Sequence, residues 1–240
     1  MSDPVRLAKR VAELARCPRA QAEQYIKGGW VSVNGQVVEE PQHLVSTEVV
    51  EIDSQARLEE TEPATILLHK PLGFDAVNGR VPASALVTPL THFGEDASGI
   101  RLLKRHFLRL TPLMPLEKDA SGLMVVSQDG RVWRQLTEDT ARIEQEFIVQ
   151  VAGDIAPYGL NQLNHGLSYR GWELPPCKVS WQNEIRLRFA IKAVQPGQLR
   201  DMCAQVGLEV VEIRRIRIGR IPLGRMPVGK WRYLPPGNRF

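Results

Sequence analysis

Leu116 to Gly130 reads LEKDASGLMVVSQDG: two acids, a few small residues, an apolar run and an Asp-Gly break. The run Leu123–Ser127 predicts a buried strand, and Arg131–Leu136 beyond the break carries a helical pattern. Working outward, Ile66–His69, Phe147–Val151, Ile185–Ile191 and Val210–Ile218 predict further strands, and Tyr158–Asn164 and Gly197–Val206 predict helices. Ile185, Leu187, Phe189 and Ile191 alternate with Arg186, Arg188, Ala190 and Lys192, so one strand face is apolar and the other basic. Strands that return on one another between few helices predict an α+β domain with a mostly antiparallel mixed sheet.

The chain of 240 residues is long enough for one large domain with a small appendage. With 43% hydrophobic and 24% charged residues it has the makings of a folded core rather than general disorder. The net charge of +4 is unevenly spread. Residues 6–27 hold six Lys/Arg against Glu13 and Glu23, residues 28–60 only Arg57 against seven acids, and residues 211–240 seven Arg and one Lys against Glu212. Such clusters suit a polyphosphate partner, because each phosphate contact releases condensed counterions. Cys17, Cys177 and Cys203 are odd in number and far apart, which argues against a disulfide framework or zinc knuckle and for small core residues in a cytoplasmic protein. No stretch has the length of an export signal or membrane span.

At the N-terminal end, apolar Leu7, Val11, Leu14, Ala15, Ala22, Tyr25 and Ile26 fall at helical spacing, and Pro18 divides the stretch into two helices. Gly28-Gly29 ends the second, and Trp30–Val38 reads as a hairpin around an Asn34-Gly35 turn. Glu48–Ile52 predicts a third short strand. The polar, acidic stretch Ser54–Pro63 is a linker candidate, so the expected domains are residues 1–60 and 61–240.

The string RLAKRVAELARCPRAQAEQYIKGGWVSVNGQVV (Arg6–Val38) resembles the small RNA-binding module of ribosomal protein S-four, also called the alpha-L motif. The resemblance implies that Arg6, Lys9, Arg16, Arg19 and Lys27 meet RNA phosphates, with a pairing of Arg19 inside the module as the plainer alternative. From Ile66 onward the chain resembles the RNA pseudouridine synthases of the RsuA, RluB and RluF type, leaning toward RluF. The matching blocks are LLHKPLGF (Leu67–Phe74), LEKDASGLMVVSQDG, EQEFIVQV (Glu144–Val151), GQLRDMC (Gly197–Cys203), and GLEVVEIRRIRIGRIPLG with GKWRYL near the end.

That resemblance implies isomerisation of uridine in structured RNA, ribosomal or transfer, by a monomer that uses a nucleophilic carboxylate and neither cofactor nor metal. The nucleophile position holds Glu117 where the family has Asp, and Asp119 matches the family's second acid, which is not the nucleophile. The family Arg two residues before the nucleophile is Pro115, and the family Tyr expected over the target base is Phe147, which keeps a ring and loses the hydroxyl. Arg200 matches the arginine that ion-pairs the carboxylate. Lys70 fits the family's Asn-Lys-Pro block, where it either meets phosphate or is an ordinary surface lysine. Arg105, in the basic stretch 101–109, is expected to line the RNA path.

Two alternatives stay open. One is an RNA-binding protein that kept the scaffold and lost the reaction, with Glu117 and Arg200 as a buried stabilising pair. The other is a ribosome-associated or assembly factor that uses only the N-terminal module.

Overall fold

The computed structural model describes residues 3–58, 62–77 and 79–240. Glu59–Thr61 of the expected linker lie outside these. Contacts divide the chain into two compact units, Met1–Pro63 with Ile100–Leu108, and Ala64–Gly99 with Arg109–Phe240.

The first unit opens with β1 (Val5–Arg6), α1 (Leu7–Ala15) and α2 (Arg19–Lys27). Pro18 sits at the N-cap of α2 with φ −57°, where its missing N–H costs nothing. The two helices bury Leu7, Ala8, Val11, Ala22 and Ile26. β2 (Val31–Val33) and β3 (Gln36–Val37) form the expected hairpin. Asn34 and Gly35 at its turn have φ of 51° and 78°, the two left-handed positions that a two-residue turn of this kind demands. β5 (Val50–Ile52) pairs antiparallel with β2, and β4 (Leu44–Val45) with β1.

The segment Ile100–Leu108 belongs to this unit although it lies far along the chain. The Arg101 guanidinium stacks 4.0 Å from the Trp30 ring centre and donates to Gly29 O at 2.5 Å and Asp53 Oδ2 at 2.6 Å. Leu103 and His106 are buried, and the Lys104 N–H donates to both Glu39 carboxylate oxygens at 3.0 Å. Arg105, expected to line an RNA path, is half-buried here. Desolvation lowers its pKa and the nearby Glu39 charge opposes that shift.

The second unit is built on one mixed sheet. Its strands are β6 (Thr65–Lys70), β7 (Thr111–Leu113), β8 (Ala120–Ser127), β9 (Glu144–Ala152), β12 (Lys178–Asn183), β13 (Arg186–Lys192), β14 (Glu209–Ile218), β15 (Ile221–Pro222) and β16 (Trp231–Tyr233). A separate hairpin joins β10 (Ser168–Tyr169) to β11 (Trp172–Glu173). The spatial order β12-β13-β9-β14-β8-β6-β16 is antiparallel throughout except where β14 meets β8. Thus the fold is α+β, with an antiparallel-dominated sheet.

Helices α3 (Gly130–Glu138), α4 (Gly159–Asn164) and α5 (Gln198–Gln205) supply the remaining layers. Asp129 caps α3 by accepting the Arg131 N–H at 2.8 Å. One core joins Phe147, Val149 and Val151 of β9 with Leu187, Phe189 and Ile191 of β13, Leu163 of α4, and Leu199, Met202 and Cys203 of α5. A second gathers Leu67, Leu123, Val125 and Ile218 with Leu136 of α3. Burial pushes the Cys177 and Cys203 thiols up to about 11 and about 12, as suits core residues rather than reactive thiols.

Candidate active site

The two acids of the opening motif lie on the turn between β7 and β8, within the second unit. β8 is buried along its whole length, so the turn is fixed at its C-terminal side by a strand that cannot shift register without exposing its core. At Gly122, φ is +111°, and an added Cβ would lie 2.2 Å from Arg215 O and 2.6 Å from Arg215 N. Only glycine lets β14 and β8 approach this closely.

Arg200, one turn into α5, faces both acids. Its Nη2 lies 2.6 Å from Asp119 Oδ2 and donates to Asp119 O at 3.3 Å. Its Nε stands 3.8 Å from Glu117 Oε2, makes no hydrogen bond and is shielded from solvent. The tight partner of Arg200 is therefore Asp119, and Glu117 is held differently: its Oε1 accepts the Gly197 N–H at 2.6 Å. Gly197 is the N-cap of α5 with φ +80°, so its amide is among the donors that a helix leaves unsatisfied at its start. The extra methylene of glutamate relative to aspartate extends the carboxylate toward this amide. Asp119, 63% exposed, is open to solvent, while Glu117 and Arg200 are half-buried at 32% and 31%, which corrects the expectation of a buried Glu117–Arg200 pair.

Beneath the turn sits Lys70, at the end of β6. It is fully buried and donates from Nζ to Ala120 O at 2.7 Å, Pro71 O at 3.0 Å and Lys118 O at 3.4 Å. Burial pushes its ammonium down to about 8, against the pull of Asp119 and Asp75. Neither sequence expectation for Lys70 stands: it is not on the surface, and a phosphate has no access to it. Phe147 is 2% exposed and packs in the cluster that holds Leu116 and Ala120, on either side of the acids. The expected stacking platform is thus enclosed in the core of this structure.

In the sequence Arg215 is one of the basic residues clustered near the C-terminal end. It is 2% exposed and holds Leu123 O, Gln145 Oε1 and Met114 O at 2.7, 2.9 and 2.5 Å. Burial pushes its guanidinium down to about 9. The signal was in the pattern of β14, where Arg215 falls on the same inward register as Ile213. Arg217 on the same strand is tied to Glu144 and Glu146. In the first unit, Arg6, Lys9, Arg16, Arg19 and Lys27 are all exposed. Arg19 pairs with Glu23 at 3.2 Å and Lys27 with the same residue at 3.8 Å, so two of the five are partly occupied within the module.

Along the chain, a two-helix basic module thus precedes a mixed-sheet domain in which one turn carries two acids facing Arg200 of α5. Residues 5–50 match the S4 domain family. The chain is 27% identical over 232 residues to the dual-specificity RNA pseudouridine synthase RluF of Escherichia coli K12, covering 96% of this chain and 75% of that protein. It is 26% identical over 222 residues to the ribosomal large subunit pseudouridine synthase B of Bacillus subtilis 168, covering 88% and 84%. A solved structure described as a pseudouridylate synthase superposes with a TM-score of 0.60 over 96% of both chains at 21% identity. The N-terminal segment is thus an S4 domain, and the chain as a whole is similar to pseudouridine synthases of the RluF and RsuA type.

Proposed function

We propose that the chain binds structured RNA and isomerises uridine to pseudouridine, with Glu117 as the reacting carboxylate and Arg200 as its cation. The observation that carries this reading is the setting of Glu117. One oxygen is fixed by the Gly197 N–H at 2.6 Å, while among the described residues Oε2 accepts no hydrogen bond and lies beside the Arg200 guanidinium. An oriented carboxylate with a free lone pair is what covalent catalysis by an acid requires. In the reaction the N1–C1′ bond of uridine breaks, C5 bonds to C1′, the C5 proton leaves to solvent and N1 gains one, so no co-reactant enters. The exposed Arg6, Lys9, Arg16, Arg19 and Lys27 supply the phosphate contacts, and the RNA is ribosomal or transfer RNA. Among the described residues no helix is long and apolar enough to cross a membrane.

A second reading, a synthase scaffold that binds RNA without turnover, draws support from Arg200 bonding to Asp119 more closely than to Glu117. Tritium release from RNA labelled at uridine C5, taken from a strain lacking the gene, separates the two. The proposed function predicts release by the native chain and its loss in Glu117→Ala. No release by the native chain, with release appearing in Glu117→Asp, overturns it in favour of the second reading.

A further inference from the structure

Arg215 is a buried cation, and among the described residues no carboxylate lies within ion-pair distance of it. Removing a charge from water without a counter-ion costs stability, and a methionine or leucine would fill the same space without that cost. Every hydrogen bond it makes instead reaches the surroundings of Glu117. Nε and Nη2 donate to the carbonyls of Leu123 and Met114, which bracket the acid turn three residues before Glu117 and six after it. Nη1 donates to Gln145, two residues before Phe147 on β9, and the guanidinium carbon lies 6.0 Å from the Phe147 ring centre. Met114 has φ 47°, a left-handed conformation that a methionine keeps only where its surroundings enforce it.

We propose that Arg215 is a positioning residue for Glu117: it clamps both ends of the acid turn through the Met114 and Leu123 carbonyls and ties the turn to β9 through Gln145. The inference rests on the reading of Glu117 as the reacting carboxylate. A guanidinium suits the task because its planar fork meets three divergent acceptors at once, where a lysine ammonium would hold one or two of them loosely.

The test uses the full chain and its variants Arg215→Lys, Arg215→Met and Gln145→Leu, read by amide hydrogen exchange resolved to peptides. With either Arg215 variant, exchange through residues 114–119 rises tenfold or more while that of β12 and β13 stays within twofold. Turnover of a C5-tritiated rRNA transcript falls more than tenfold in kcat with KM within twofold. Gln145→Leu keeps both carbonyl bonds and loses only the tie to β9, so exchange at 114–119 rises by less than a third of the rise in either Arg215 variant. Unchanged exchange at 114–119 in Arg215→Lys overturns the clamp, as does a rise shared equally by β12 and β13 or an equal rise in Gln145→Leu. Should Arg215→Met fail to fold, Arg215→Lys decides alone. A native chain that releases no tritium removes the reading of Glu117, and the exchange result still decides the clamp.

Discussion

Replacing Gly122 by alanine tests the close approach on which the acid turn depends. The added Cβ would stand 2.2 Å from Arg215 O and 2.6 Å from Arg215 N, about 1 Å inside the usual contact distance of about 3.5 Å. Both atoms are backbone of β14, which is paired on this side with β8 and on the other with β9, so neither can swing away as a flexible side chain would. A φ of +111° adds conformational strain for any residue with a Cβ, of about 1–3 kcal/mol. Overpacking against a fixed neighbour adds about 1–3 kcal/mol. The expected loss is therefore about 2–6 kcal/mol, a large share of the roughly 5–15 kcal/mol that holds a typical domain together.

A matched control exists within the same unit. Gly73 has φ +83°, yet an added Cβ there meets nothing within 4 Å, so Gly73→Ala carries the conformational term alone. Urea unfolding of both full-length variants, followed by far-ultraviolet circular dichroism, separates strain from clash. Gly122→Ala should lose about 1–3 kcal/mol more than Gly73→Ala. Equal losses in the two variants would refute the argument that β14 leaves no room at Gly122.

Three further outcomes follow from charge and burial. The Lys70 ammonium titrates near 8 in the folded chain against 10.5 when exposed, so above pH 8 the unfolded state holds more protons and stability gained from this site rises with pH. In denaturation from pH 7 to 10.5, the native chain should therefore gain on Lys70→Met above pH 8, with a slope approaching about 1.4 kcal/mol per pH unit. For His106, burial first and the Arg105 charge second hold the imidazole down to about 4 against 6.5 when exposed, so stability falls as pH drops from 6.5 toward 4. His106→Leu should flatten that acid limb for the first unit, and an unchanged limb would place the acid sensitivity elsewhere. RNA affinity measured against salt should lose about one unit of log–log slope for each phosphate contact removed. Arg6→Gln, Lys9→Gln and Arg16→Gln should each lower it, and Arg19→Gln less, because Glu23 already occupies Arg19.

What could be read from the sequence was local. The alternation across β13 appears in the structure as buried Leu187, Phe189 and Ile191 between more exposed neighbours, and the Asn34-Gly35 turn has the backbone it demands. In the large sheet β7, β12, β15 and β16 carry no readable strand pattern, β7 and β16 being three residues long, β15 two, and β12 having a mostly exposed polar sequence. The site was legible only where its residues act through side chains that the motif names. Lys70 finds two of its three acceptors 48 and 50 residues away, Arg101 meets Gly29 across 72, and the Gly197 amide reaches Glu117 across 80. Such partners are invisible to any window of sequence. A charged residue is also read as solvated by default, which misplaces Lys70 and Arg215 alike.

The manner in which the turn is anchored bears on how it tolerates glutamate. Lys70 holds the carbonyls of Lys118 and Ala120, and Arg215 those of Met114 and Leu123, so both buried cations grip backbone rather than the acid side chains. The path of the main chain is then set independently of whether residue 117 is aspartate or glutamate. The extra methylene is absorbed in the side chain alone, whose carboxylate ends on the Gly197 N–H instead of closing on Arg200. Arg200 in turn keeps a tight partner because Asp119 is within its reach, which spares the fold an unpaired guanidinium. Exchange of Glu117 for aspartate therefore probes carboxylate reach on an unaltered turn, and a change in turnover it produces is a statement about chemistry rather than about folding.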